Sequence, residues 1–91
     1  MSTIRIPPVL RASAGGDKTV EAAGATVGEV LADLVAKHPA LADQLFAPDG
    51  TLNRFVNVYV NGEDVRYAQE LATPAGPADT VIILPAMAGG R

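Results

Sequence analysis

Thr26-Val27-Gly28-Glu29-Val30-Leu31-Ala32-Asp33-Leu34-Val35-Ala36-Lys37 is the stretch that decides how this chain folds. Val27, Val30, Leu31, Leu34 and Val35 fall at i, i+3, i+4, i+7 and i+8, which puts all five on one face of an α-helix. Glu29, Asp33 and Lys37 lie off that stripe and face water. Thr26 and Glu29 have capping-box spacing, so the hydroxyl can take an orphan N–H while the carboxylate reaches back. His38-Pro39 closes the helix, because the residue before a proline disfavours helical angles. One amphipathic helix needs one apolar surface to lie on, and the flanking segments supply it.

Upstream, Thr3 to Arg11 alternates through Ile4 and Ile6, with Val9 and Leu10 beyond Pro7-Pro8. This predicts a strand, bent or paired on one side at the prolines, which lack a backbone donor. Ser13 to Asp17 reads as a glycine-containing loop and Lys18 to Ala22 as a second strand, together a hairpin. Downstream, Ala40 to Phe46 predicts a short helical turn that sets Leu41, Leu45 and Phe46 on the core, followed by a Pro48-Asp49-Gly50 turn. Phe55 to Val60 alternates strictly, with Val56, Val58 and Val60 inward and Phe55, Asn57 and Tyr59 outward. Asn61-Gly62 is a strong hairpin signal, and Glu63 to Arg66 returns as a short strand. A Pro/Gly-rich connection over Leu71 to Asp79 leads to a last strand, Val81 to Leu84. The order β-β-α-β-β-β predicts an α+β chain with one main helix packed across a mixed sheet, the β-grasp arrangement, although other α+β folds share this order. Residues 1–85 are expected to form this domain and 86–91 a flexible tail.

The chain has 91 residues, 48% of them hydrophobic, and no cysteine. Disulfides, thiolate metal sites and cysteine nucleophiles are therefore excluded together. The net charge of −3, with basic residues scattered along the sequence, argues against a nucleic-acid footprint. No apolar run suits a signal peptide or a membrane span, so no membrane partner is expected and a cytoplasmic location is the expectation. Side-chain catalysis has little to work with. His38 stands alone, where the helix dipole favours it, and neither Ser2 nor Ser13 has the context of a nucleophile. Glu29, Asp33 and Asp43 read as a solvated face rather than a metal cluster, and no phosphate-loop or dinucleotide fingerprint occurs.

Gly-Gly occurs twice. Gly15-Gly16 sits between strand-like segments, where a turn explains it; Gly89-Gly90 follows the last strand near the chain end. Two residues without Cβ let a backbone pass a narrow channel and take the angles a partner imposes. A C-terminal carboxylate that must enter another enzyme's active site needs such a lead.

The segments Val9-Leu10-Arg11, Gly15-Gly16, Arg54 to Asn61, Glu63-Asp64-Val65-Arg66 and Ile83-Leu84-Pro85-Ala86-Met87-Ala88-Gly89-Gly90 carry a resemblance over nearly the whole chain. The sequence resembles the ubiquitin-like sulfur carriers, the MoaD/ThiS/CysO family, with Phe55 to Arg66 pointing to the CysO branch. The resemblance implies that an E1-like adenylating and sulfurtransferase enzyme joins the Gly90 carboxylate to AMP at the expense of ATP. A sulfur donor then converts it to a thiocarboxylate, with Ala88 and Gly89 as the threading lead. It implies a PLP-dependent cysteine synthase as sulfur acceptor and a metal-dependent protease that frees the product. ATP, PLP and metal belong to those partners, so no cofactor is assigned to this chain, which is a protein co-substrate rather than an enzyme.

Arg91 departs from the pattern, since the chemistry requires the free carboxylate on Gly90. Either Arg91 is native and trimmed, or it was added to the natural end; the reading adopted is a precursor processed at Arg91. Ile82 and Leu84 are expected to face outward beside Phe55 and Tyr59 as a partner surface. Competing expectations are the small subunit of molybdopterin synthase, a carrier for another metabolite, a tag joined to lysines, and a plain β-grasp binding module.

Overall fold

The computed structural model describes residues 2–53, 56–65 and 68–85. Five strands, β1 (Ser2–Arg5), β2 (Thr19–Ala22), β3 (Val56–Val60), β4 (Glu63–Asp64) and β5 (Thr80–Pro85), form one sheet in the order β2-β1-β5-β3-β4. β5 is central: it runs parallel to β1 and antiparallel to β3. The main helix, α2 (Val27–Lys37), covers one face, and single turns α1 (Pro8–Arg11) and α3 (Ala42–Leu45) close the sides. This is the β-grasp fold expected from the helix stripe and its flanks.

Burial follows the sequence pattern closely. Val27, Val30, Leu31 and Leu34 are fully buried beneath α2, and Val35 packs partly against them. From the sheet, Ile4, Val58, Val81 and Ile83 meet them. Each such side chain stabilises the fold by about 1.5–3 kcal/mol relative to exposure. The helix starts as a capping box: the Glu29 N–H donates to Thr26 Oγ1 at 3.2 Å, and Glu29 Oε1 accepts from the Ala25 N–H at 2.9 Å. The reach goes one residue further back than the cap itself. The entry loop is tight: a Cβ on Gly24 would meet the Val30 nitrogen at 2.7 Å, so only glycine fits there.

Three expectations are corrected. β1 ends at Arg5 rather than bending through the prolines. Pro7, with φ −69° and ψ 157°, caps a helical turn that starts at Pro8. Proline at the first helical position loses a donor that had no partner anyway, so the pair starts a turn as readily as it ends a strand. That turn buries Leu10. The antiparallel β1–β2 pair is as expected, but it is joined by helical turns over Pro8–Arg11 and Ala12–Ala14 rather than by a tight loop. Finally, β4 covers only Glu63–Asp64; Val65 leaves the strand and is fully buried in the core, while Arg66 lies outside the described residues.

Candidate functional site

The site expected from the sequence is the run that follows β5, so the geometry of β5 comes first. Its beginning is held by a set of polar contacts. Asn61 occupies a left-handed conformation, φ 51°, and Gly62 follows at φ 89°, the backbone that an Asn-Gly hairpin requires. The Asn61 side chain does more than turn the chain. Its Nδ2 donates to Asp79 Oδ1 at 2.8 Å, and its Oδ1 accepts from the Thr80 N–H at 3.0 Å. The backbone N–H of Asn61 donates to the Thr80 carbonyl at 3.0 Å. Asp79 Oδ2 accepts from the Gly76 N–H at 2.7 Å, and the buried Ser2 hydroxyl donates to the Gly76 carbonyl at 2.7 Å. These bonds fix where β5 enters the sheet. Only the turn role of Asn61 is legible in the sequence, because Asp79 is remote along the chain.

From that anchor the register is determined. Val58 lies opposite Ile83, Tyr59 opposite Ile82 and Asn57 opposite Leu84. Val81 and Ile83 point into the core, at 0% and 1% exposure. Ile82 and Tyr59 therefore sit side by side on the outer face, both half-buried, and Leu84 is 43% exposed. The outer-face placement of Tyr59, Ile82 and Leu84 agrees with the alternation. Phe55 lies outside the described residues, as do Ala88, Gly89, Gly90 and Arg91.

The titratable groups offer little chemistry of their own. The Ala23 N–H, and then the Lys37 ammonium, hold the Asp33 carboxyl below the usual range. The Thr51 hydroxyl and N–H do the same for Asp49, and the Gly76 N–H and Asn61 amide for Asp79. Each is a carboxylate satisfied by structural donors. His38 caps the C-terminus of α2, with its ring about 3.5 Å from where a Cβ on Gly15 would stand. Among the described residues no group of His, Asp or Glu could hold a metal ion, and no helix is long and apolar enough to cross a membrane.

Residues 4–90 match the ThiS family. The chain belongs to that family. The match runs from β1 through the described strands and includes the Gly-Gly pair. Within the family the chain is CysO-like. The sulfur carrier protein CysO of Mycobacterium tuberculosis is 49% identical over 90 residues, spanning 97% of each chain. The crystal structure of that CysO gives a TM-score of 0.89 at 46% identity, covering 96% of this chain and 100% of the other. A chain of the Amycolatopsis orientalis BexX/CysO complex gives 0.90 at 46% identity, covering 99% and 100%. The small archaeal modifier protein 1 of Haloferax volcanii is 39% identical over 82 residues, 87% of this chain and 90% of its own.

Proposed function

We propose that this ThiS-family chain is a sulfur carrier whose reacting group is the Gly90 carboxylate, and that its physiological use is cysteine biosynthesis of the CysO type. The observation that carries the reading is the polarity of β5. The strand is anchored at Thr80 and ends with Leu84 and Pro85 exposed, directly ahead of the segment that holds Gly89-Gly90. The 49% identity to a protein named as a sulfur carrier supplies the chemistry.

The steps belong to partner enzymes, with this chain as co-substrate. A Gly90 carboxylate oxygen attacks the α-phosphorus of ATP, and pyrophosphate leaves. Hydrosulfide, or its equivalent on a donor, adds to the acyl carbon of the mixed anhydride, and AMP departs. The product is a thiocarboxylate on a protein that has no cysteine. A PLP-dependent cysteine synthase then takes the sulfur, and a metal-dependent protease frees the amino acid. Arg91 blocks the first step and is removed beforehand. The outer-face residues Tyr59, Ile82 and Leu84, together with Phe55, which the sequence alternation assigns to the same surface, are what the adenylating enzyme grips. All of this takes place in the cytoplasm.

The test uses the chain ending at Gly90 and the chain ending at Arg91, each with an E1-like enzyme, ATP and sulfide. Intact mass is expected to show one oxygen replaced by sulfur in the first protein only. Equal conversion of both would remove Arg91 from the account, and conversion of neither would sink the carrier reading. The similarity to a small archaeal modifier protein favours one second reading, in which the same activated Gly90 is joined to lysines. Conjugates linked through Gly90 in extracts of the host would reveal it.

A further inference from the structure

β1 and β5 run side by side as far as Arg5 and Ile82, and there they part. β5 continues to Pro85 while β1 gives way to the Pro7 cap and α1. The divergence opens a cleft of about 450 Å³ at the root of the tail, within the size range of binding pockets. Its cationic side is made by Arg5, Arg11 and Lys18, and its apolar side includes Ile82, Leu84 and Pro85. Among the described residues no Asp or Glu lines it.

One residue gathers these cations. The Ile6 N–H donates to the Lys18 carbonyl at 2.8 Å, and the Ile6 carbonyl accepts from Arg11 Nε at 3.1 Å. Arg5 precedes it on β1, opposite Thr19 and Ile82. Arg11 thus spends one donor on the backbone and keeps the rest of its guanidinium fork. Among the described residues the only ion pair joins Lys37 to Asp33, on α2. Among the described residues the three cations therefore form a cluster without an anionic partner, in a chain whose net charge is −3.

We propose that this cleft receives an acidic segment of the adenylating enzyme, with Asp or Glu side chains against Arg5, Arg11 and Lys18 and an apolar side chain against Ile82 and Leu84. The inference rests on the carrier reading and deepens it. Charge complementarity selects an acidic occupant, and the apolar wall selects a peptide segment over a free anion. Position selects the enzyme: whatever grips the tail must pass the rim formed by Leu84 and Pro85. Oppositely charged surfaces steer encounter and fix orientation more than they deepen affinity. The cluster would thereby align the tail with the enzyme's channel before the glycines enter it.

The experiment compares two double variants of equal net charge in the chain ending at Gly90. Arg5→Ala with Lys18→Ala removes two cations from the cleft. Ala32→Glu with Ala78→Glu adds two anions at exposed positions elsewhere. ATP-dependent thiocarboxylate formation is followed as a function of carrier and salt concentration, with thermal unfolding as the folding control. The cleft variant is expected to show a KM raised about tenfold, an unchanged kcat and a flattened salt dependence. The other variant should stay within about twofold of the parent. Equal KM values for the two variants would overturn the proposal and leave the carrier reading standing. A parent protein that is not converted at all would overturn both.

Discussion

The two ends of β5 are built on opposite plans. At Thr80 the strand is clamped by Asn61, Asp79, Gly76 and Ser2 through hydrogen bonds of 2.7–3.0 Å. At Leu84 and Pro85 it is exposed, with β1 already gone from one side. One end is specified by polar bonds, which fix register; the other presents apolar surface and lets the chain leave. A carrier needs both, since a tail can be offered at a defined place only if its strand cannot slip by a residue.

The comparison can be broken at either end. The largest effect is expected at the free end: deleting Gly89, Gly90 and Arg91 should abolish thiocarboxylate formation while leaving the melting temperature unchanged. Undiminished conversion would show that the working group lies elsewhere. At the clamped end, Asn61→Ala should cost about 2 kcal/mol in denaturant unfolding, from the lost side-chain bonds and the left-handed backbone. Asn61→Gly keeps the backbone preference and should recover about half of that. If Asn61→Gly were as stable as the parent, the bonds to Asp79 and Thr80 would count for nothing. A charge on the outer face, Leu84→Asp, should raise KM for activation about fivefold with stability altered by less than about 0.5 kcal/mol. Unchanged KM would remove Leu84 from the partner surface.

The smallest effect is that of pH on the clamp. The carboxyls of Asp33, Asp49 and Asp79 are held below their ordinary value by donors in the folded protein. In the unfolded chain they take up protons near pH 3.9. The unfolded state therefore binds more protons in that range, and stability falls as pH drops through it. Melting temperature should be flat from about pH 7 to 5 and decline below about pH 4. Asp79→Asn should make that decline shallower; an identical slope would mean that Asp79 is not coupled to folding.

What could be read from the sequence was what is local and periodic. The α2 stripe, the capping box, the Val56–Val60 alternation and the Asn61-Gly62 turn each lie within one element, where the helical or strand period dictates burial. Pro7-Pro8 is ambiguous in sequence because the same pair can end a strand or begin a helical turn, and only the burial of Leu10 distinguishes them. Val65 continued the strand alternation yet left the sheet to fill the core. The outward Tyr59, Ile82 and Leu84 were legible from alternation alone. The cationic cleft was not. Arg5, Arg11 and Lys18 look scattered along the chain, and they converge only because Ile6 binds the backbone of one and the side chain of another. The polar clamp at Thr80 is hidden for the same reason, since Ser2, Asn61 and the Gly76 to Asp79 loop are three separate segments.

The parallel pairing of β1 with β5 also has a mechanical consequence. The first and last strands run in the same direction side by side, so a pull between the amino end and the tail loads their hydrogen bonds in shear, all together, rather than peeling them one at a time. Unfolding under such a load is governed by the height of the unfolding barrier. A load applied between those two strands is therefore resisted by the whole β1–β5 ladder at once.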